Sequence, residues 1–412
     1  MLSYAEALQM LEARLNSLKV STETLALEEC LGRVLAQEVA MDRDEPPVCR
    51  SAMDGFALRS EDGEGPRQIV GTYYAGTAGE TPLQGGQAVA VMTGGTVPSG
   101  ADAVIPVERT SVEGETLQIE AAPRAGQHVR QKGEMGQVGR VLLKPGQRLT
   151  AADLGTLAGC GVDPVLVYRQ PRAIVLATGD EVIPLQQMPE SHQVRDSNRL
   201  LAATQLRTFG AEVVEHHHVK DEPEALKAAV ADALEKADLV ITIGGVSMGE
   251  KDYLPQVFQE CCVEKLFHKI ALQPGKPVWA GATEKQIVLG LPGNPVSSFV
   301  VLELLGRLVI DRLSACDRIY PRPLRTAKLQ GRAKCRARPR LLPARLWDPG
   351  HPWPTDAEAS TPTDSMPSLR VIQESGSGDW TSFSGAEALL YLPPFSDVEE
   401  GQVVHYLPLS KP

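Results

Sequence analysis

Apolar and polar positions change period along the chain, and each change marks a different kind of element. In "MLSYAEALQMLEARLNSL", Leu8, Leu11, Leu15 and Leu18 form one apolar stripe, and Ser3 with Glu6 suits a capping box, so a helix opens the chain. A second amphipathic stretch follows in "LEECLGRVLAQEV". Residues 46–137 are rich in Gly, Pro and Thr, with short β-branched runs such as "QAVAVMT" and "ADAVIPV", which reads as a small β domain with many turns. Helical spacing returns in "TAADLGTLAGCGV". An insertion accounts for this order: a β domain interrupts a helical one.

Residues 171–317 alternate short apolar strands with helices. "RAIVLAT", "AEVVEHHH", "DLVITIGG" and "QIVLGLPGN" read as strands. "NRLLAATQLRTFG" reads as a helix closed by Gly210, and "DEPEALKAAVADALEKA" as one with Asp221 at the N-cap and Pro223 in the first turn. "PVSSFVVLELLGRLVI" is a further helix. This rhythm predicts a parallel sheet covered on both faces, with ligands bound beyond the carboxyl ends of its strands. From residue 318 the chain is β-like and Pro-rich, "DPGHPWPTDAEASTPTDSMPS" reads as a long loop, and "VVHYLPL" as a last strand.

At 412 residues the chain exceeds one core, so roughly two to four domains are expected. The net charge of −11 argues against general nucleic-acid binding. Arg318–Arg345 is the local exception, with ten Lys or Arg and no acid: a solvated strand face, or a docking surface for an acidic partner. Seven cysteines without a CxxC pair fit a reducing compartment. Neither a signal peptide nor a bilayer-length apolar run is apparent, so a soluble cytoplasmic protein without membrane attachment is expected.

Three loops carry candidate chemistry: "LATGDEV", "ITIGGVSMGEKD" and "LGLPGNPVSS". Each follows its strand in the same sense, so all three belong on one sheet edge. None is a P-loop or a GxGxxG turn. Gly244, Gly245 and Gly249 can still offer backbone N–H groups to an anion, and "PGNP" stands before a helix N-terminus. Asp180, Glu181, Glu250 and Asp252 are oxygen ligands that, with a phosphate, suit Mg²⁺. Glycines for a phosphate and acids for a metal share one loop sensibly when the metal bridges the phosphate. Asp221 is accounted for locally as a helix cap. His216, His217 and His218 read as a polar strand end, and Cys261–Cys262 as buried thiols.

Taken together, "SAMDGFAL", "VMTGGTVPSGADAVIPVE", "ATGDEV", "RDSNRLL", "GGVSMGEKDY", "PGKPV", "LPGNPVS" and "QESGSGDWTSFSGAEALLYLP" resemble, in order and over nearly the whole chain, the molybdopterin molybdenumtransferase family, related to the E domain of gephyrin. The resemblance implies an elongated helical domain (1–45 and 138–170), an inserted β domain (46–137), a molybdopterin-binding-type α/β domain (171–317) and a C-terminal β domain (318–412). It implies a homodimer with each active site shared between subunits, and docking to other cofactor-biosynthesis proteins. The implied reaction joins molybdate to adenylylated molybdopterin with Mg²⁺ and releases AMP.

By motif, the resemblance assigns catalytic positions to Asp54, Thr93, Glu181, Asp221 and Asp252, and metal positions to Asp180, Glu181 and Asp252. It places Gly179, Gly244, Gly245, Ser247, Lys269, Lys276, Pro292, Gly293, Asn294 and Pro295 against the pterin substrate and molybdate. Glu250 ranks behind Asp252, as a turn residue. The chain departs from the family pattern at Met135, Gln273 and Cys335. Two other readings are an isolated adenylyltransferase or competence-damage-type module, which would lack "SAMDG" and "MTGG", and a non-catalytic molybdopterin carrier, which would not need the acids.

Overall fold

A computed structural model describes residues 1–76, 82–246, 252–347, 366–372 and 376–409. The expected N-terminal helix spans Tyr4–Leu15 and has both reciprocal bonds of a Ser3–Glu6 capping box. Leu8, Leu11 and Leu15 are buried against the helices and strands of the α/β unit, so its stripe is satisfied there. The next amphipathic stretch is not a helix. It forms a 3₁₀ turn at Leu27–Glu29 and a two-residue strand at Val34–Leu35, because Gly32 turns the chain at φ +75° and Val34 and Leu35 find backbone partners in Val165–Tyr168. Thr22–Leu25 pairs along the other side of Val165–Tyr168. The helix Ala151–Gly159 forms as expected, with Thr150 and Asp153 as its capping box.

Between these pieces lies a six-stranded sheet in the order Ala103–Pro106, Gly55–Leu58, Gln87–Val91, Arg67–Tyr73, Thr116–Ile119, Thr110–Glu113. Gly55 is required there, since a Cβ would fall 1.9 Å from the carbonyl oxygen of Ile105.

The α/β unit has a second six-stranded sheet, ordered Glu212–Val219, Arg172–Thr178, Leu239–Ile243, Ile287–Leu291, Trp279–Ala282, Glu264–His268. The first four strands are parallel. Trp279–Ala282 runs antiparallel to both its neighbours, so the sheet is mixed rather than wholly parallel. One face packs on helices Ser197–Phe209, Pro295–Val301, Arg307–Leu313 and the N-terminal helix. The other packs on Pro223–Lys236 and Leu254–Glu260. Gly210 closes its helix in the left-handed region at φ +99°. The helix expected from Pro295 runs on through a π-helical turn at Leu302–Gly306.

A five-stranded closed barrel completes the chain: Arg325–Gln330, Ser368–Val371, Arg340–Trp347, Ala388–Leu392 and Val403–Pro408. Most of the long Pro-rich loop lies outside the described residues. The basic stretch divides among jobs. Arg322 pairs with buried Glu303, Arg332 with Glu399 and Lys334 with Asp397, while Arg325 and Lys328 are exposed on a strand.

One buried carboxylate joins these parts. Asp311 accepts from Arg148 Nη2 at 3.1 Å, Arg307 Nε at 3.2 Å and Tyr320 Oη at 2.7 Å, with Arg318 Nε 3.1 Å away. Arg148 reaches it over Gly210, where any Cβ would stand 2.4 Å from its Nη1. Burial pushes the Tyr320 phenol far above its usual range, and the Asp311 charge pushes it further. Among the described residues no helix is long and apolar enough to cross a membrane.

Candidate functional site

The strands ending at Thr178, Ile243 and Leu291 are adjacent and parallel, so their following loops meet at one edge. They enclose a crevice of about 830 Å³, lined among others by Thr178, Gly179, Glu181, Asp221, Gly244, Gly245, Asp252, Gly293, Asn294 and Pro295. The glycines are geometric requirements. Gly244 sits at φ +92°, and a Cβ there would lie 2.9 Å from Thr178 Oγ1. Gly179, at φ +132°, would drive a Cβ to 2.9 Å from Glu181 Oε2. Its carbonyl is bonded to His218 Nε2 at 2.9 Å.

Asp221 does not cap its helix. The N-cap is Glu222, without a side-chain bond, and the Asp221 carboxylate turns instead to Thr178. Burial raises the Asp221 pKa; the Thr178 hydrogen bond opposes this, and the charges of Asp180 and Glu181 add to the rise. A cation would relieve that crowding of like charge. Among the described residues no three Asp, Glu, His or Cys side chains converge as a preformed metal site. Glu181, Asp221 and Asp252 line the crevice, and carboxylate oxygens of this kind are donors that Mg²⁺ takes one or two at a time when phosphate and water fill its other positions. Asp180 is exposed beside the crevice rather than lining it. Ser247, Gly249 and Glu250 lie outside the described residues.

The "LPGNP" loop is fixed from two sides. Asn198 Nδ2 donates to Gly293 O at 2.5 Å, and Asn294 Nδ2 donates to Ser377 Oγ at 3.0 Å. Ser298 Oγ donates to Pro292 O within the loop. Across Asn294 a smaller pocket of about 310 Å³ is lined by Lys276, Arg338, Arg340, Gln273, Pro292, Ser297 and Ser377. Three cations and two hydroxyls suit a small oxyanion. Lys269 lines neither pocket. It follows the strand ending at His268, at φ +71°, with its N–H donated to Val278 O.

Asp54 and Thr93 come together, but elsewhere. Asp54 Oδ1 accepts from Thr93 N at 2.6 Å and Thr93 Oγ1 at 2.8 Å, and these bonds hold its carboxyl below the usual range. Both are exposed at the edge of the other sheet and neither lines the crevice. Exposed Met53 and Met92 adjoin them in sequence, and exposed Val107, which follows the neighbouring strand Ala103–Pro106, donates its N–H to Asp54 O at 3.1 Å.

Sequence reasoning missed Thr178, Asn198, Arg338, Arg340, Ser377 and Trp380. Two signals were present: "RDSNRLL" and "GSGDW" among the matched motifs, and the basic run. The histidines are inside the strand Glu212–Val219, where His216 Nδ1 meets Arg199 Nη1 at 2.9 Å and His218 holds the Gly179 turn. Cys262 is exposed at φ +58° and Cys261 is half-buried, so neither is the buried thiol expected.

A crevice at the carboxyl edge of such a sheet is where α/β domains bind ligands, and the family matches define the class as molybdopterin-binding. Residues 174–312 match the model of the probable molybdopterin binding domain, and residues 2–161 that of the MoeA N-terminal region (domain I and II). The molybdopterin molybdenumtransferase of Staphylococcus aureus is 31% identical over 329 residues, 78% of each chain. That of Staphylococcus epidermidis is 30% identical over 334 residues, 79% of this chain and 80% of the relative. The crystal structure of the molybdopterin biosynthesis moeA protein from Pyrococcus horikoshii OT3 aligns with a TM-score of 0.81 at 25% identity, covering 99% of this chain and 100% of that one. The chain belongs to the molybdopterin molybdenumtransferase family.

Proposed function

We propose that this chain is an enzyme of molybdenum cofactor biosynthesis that inserts molybdate into adenylylated molybdopterin and releases AMP. The observation that carries this reading is the adjacency of two sites across Asn294: a crevice lined by glycines and carboxylates, and a pocket of Lys276, Arg338 and Arg340. The substrate needs both, a pyrophosphate grip and an oxyanion site beside it. The Gly244 N–H is donated to Leu291 O and that of Val296 to Ser377 O, so the backbone grip on phosphate oxygens falls to Gly245, with the positive end of the helix beginning at Pro295 beside it. Glu181 and Asp252, with Asp180 and Asp221 beside them, would hold Mg²⁺, which when bound neutralises charge on the pyrophosphate as it is cleaved. Lys276, Arg338 and Arg340 hold molybdate by charge, with Ser297 and Ser377 as hydroxyl partners. The reaction needs no protein nucleophile.

The division into 1–45 with 138–170, 46–137, 171–317 and 318–412 belongs to the same reading, as does a cytoplasmic homodimer. The exposed Asp54–Thr93 edge, with Met53, Met92 and Val107 beside it, would face the crevice of a second copy, whose rim exposes Leu185, Met188 and Val194. The retained carboxylates favour catalysis over a passive carrier. Purified protein, adenylylated molybdopterin, molybdate and Mg²⁺ are expected to yield AMP, measured by chromatography. A sample that binds the pterin and forms no AMP overturns the proposal.

A further inference from the structure

Phosphate, metal and molybdate binding leave one wall of the crevice unused. Trp380 opens the 3₁₀ turn Trp380–Phe383, which is anchored at several points. Asp379 accepts from Thr381 N at 3.1 Å and Thr381 Oγ1 at 2.5 Å, and Ser382 Oγ donates to Asp379 O at 2.8 Å. Phe383 packs on Phe299 with ring centroids 4.8 Å apart. Just before the turn, Ser377 O accepts from Val296 N at 3.1 Å, which ties it to the helix beginning at Pro295. The backbone is thus held while the indole is left out: Trp380 is 64% exposed. It lines the same crevice as Glu181, Asp221 and Asp252, together with Leu185, Pro189 and Val194.

A lone exposed apolar side chain is ordinary, but an indole on an anchored turn, in a ligand crevice that also exposes Leu185 and Val194, forms a contact surface. Phe383, not Trp380, secures the turn to the helix layer. The acids and the Gly245 backbone can grip phosphates and a metal, yet they offer nothing to a flat ring. An indole face does, because it stacks on any heteroaromatic plane.

We propose that Trp380 is a stacking platform for a fused bicyclic heteroaromatic ring of the substrate. The inference rests on the proposed function, whose substrate carries two such rings, a pterin and an adenine. Trp380 sets ring placement and affinity, and takes no part in breaking the phosphoanhydride.

The test titrates the full chain with AMP plus Mg²⁺, and separately with molybdopterin, by calorimetry, comparing wild type with Trp380→Ala and Trp380→Phe. Trp380→Ala is expected to weaken binding of one ring by roughly tenfold to a hundredfold, with Trp380→Phe regaining most of the loss. A loss confined to AMP assigns the adenine, and a loss confined to molybdopterin assigns the pterin. With adenylylated molybdopterin the same variant should raise KM while kcat changes by less than about threefold. Unchanged binding of both ligands by Trp380→Ala overturns the platform. Because binding is read without turnover, wild type that binds both rings but forms no AMP overturns the reaction and leaves the platform standing.

Discussion

Asp311→Asn removes one charge at nearly constant volume, so its effect isolates the electrostatics of the buried joint. Asp311 is fully buried and is contacted by three guanidinium groups and a phenol. Removing one partner of a buried ion pair costs about 3–5 kcal/mol, because the remaining charge stays desolvated. Two of the three cations have an escape. The Arg148 side chain is 21% exposed and that of Arg318 is 31%, so both can turn toward water. The Arg307 side chain is 4% exposed and cannot. The low end, about 3 kcal/mol, is therefore expected. In a cooperative unit of ordinary domain size this lowers Tm by about 6–12 °C. Scanning calorimetry measures it, with Arg307→Met and the double variant completing a cycle. The double variant should be no worse than Asp311→Asn alone, since the stranded charge is gone. A fall in Tm below about 2 °C, or additive losses, would refute the electrostatic account. Because Arg148 comes from a remote segment whereas Arg307 shares the helix of Asp311, the variant should also loosen the placement of residues 22–168 on the sheet, visible as a change in small-angle scattering.

Four other outcomes follow from the site. Gly244→Ala places a methyl 2.9 Å from Thr178 Oγ1 at φ +92°, so AMP formation should fall at least tenfold with about 1–3 kcal/mol of lost stability; a wild-type rate would show the approach is not needed. Asp252→Asn should raise the Mg²⁺ concentration for half-maximal AMP release by about tenfold or more, read by metal titration. Arg338→Met with Arg340→Met should raise the KM for molybdate by at least tenfold and leave AMP binding intact; the reverse pattern would move the oxyanion elsewhere. Mixing Asp54→Asn with Asp252→Asn protein, at an Mg²⁺ concentration too low for either variant to form AMP alone, should restore about a quarter of wild-type AMP formation through mixed dimers, and no recovery would argue against a shared site.

Local signals carried far in this chain. Ser3 and Glu6 specified a helix start, Gly210 a helix end, and the alternation of apolar strands with helices a layered sheet. The direction of three parallel strands was enough to bring "TGDE", "GG" and "LPGNP" to one edge, because each loop must leave the sheet at its strand's carboxyl end. Local signals failed where two local explanations compete or where the partner is remote. Asp221 has the sequence of a cap, yet its carboxylate turns to Thr178, a choice made by a neighbouring strand. "LEECLGRVLAQEV" has helical spacing, yet its apolar residues are taken by strand pairing with a segment far along the chain.

The sequence by itself determined most of the elements, the glycine turns and the acids that stand at the strand ends, since these depend on residues a few positions apart. Only the tertiary structure decided where each cation goes: of a basic run from Arg318 to Arg345, Arg338 and Arg340 line the smaller pocket with Lys276 while Arg322 pairs with Glu303. It also decided that Asp54 and Thr93 stand apart from the crevice in their own chain. Charge along a chain is a one-dimensional quantity, whereas a site is defined by which side chains share a few ångströms of space, and that follows from how the sheets, barrel and loops pack.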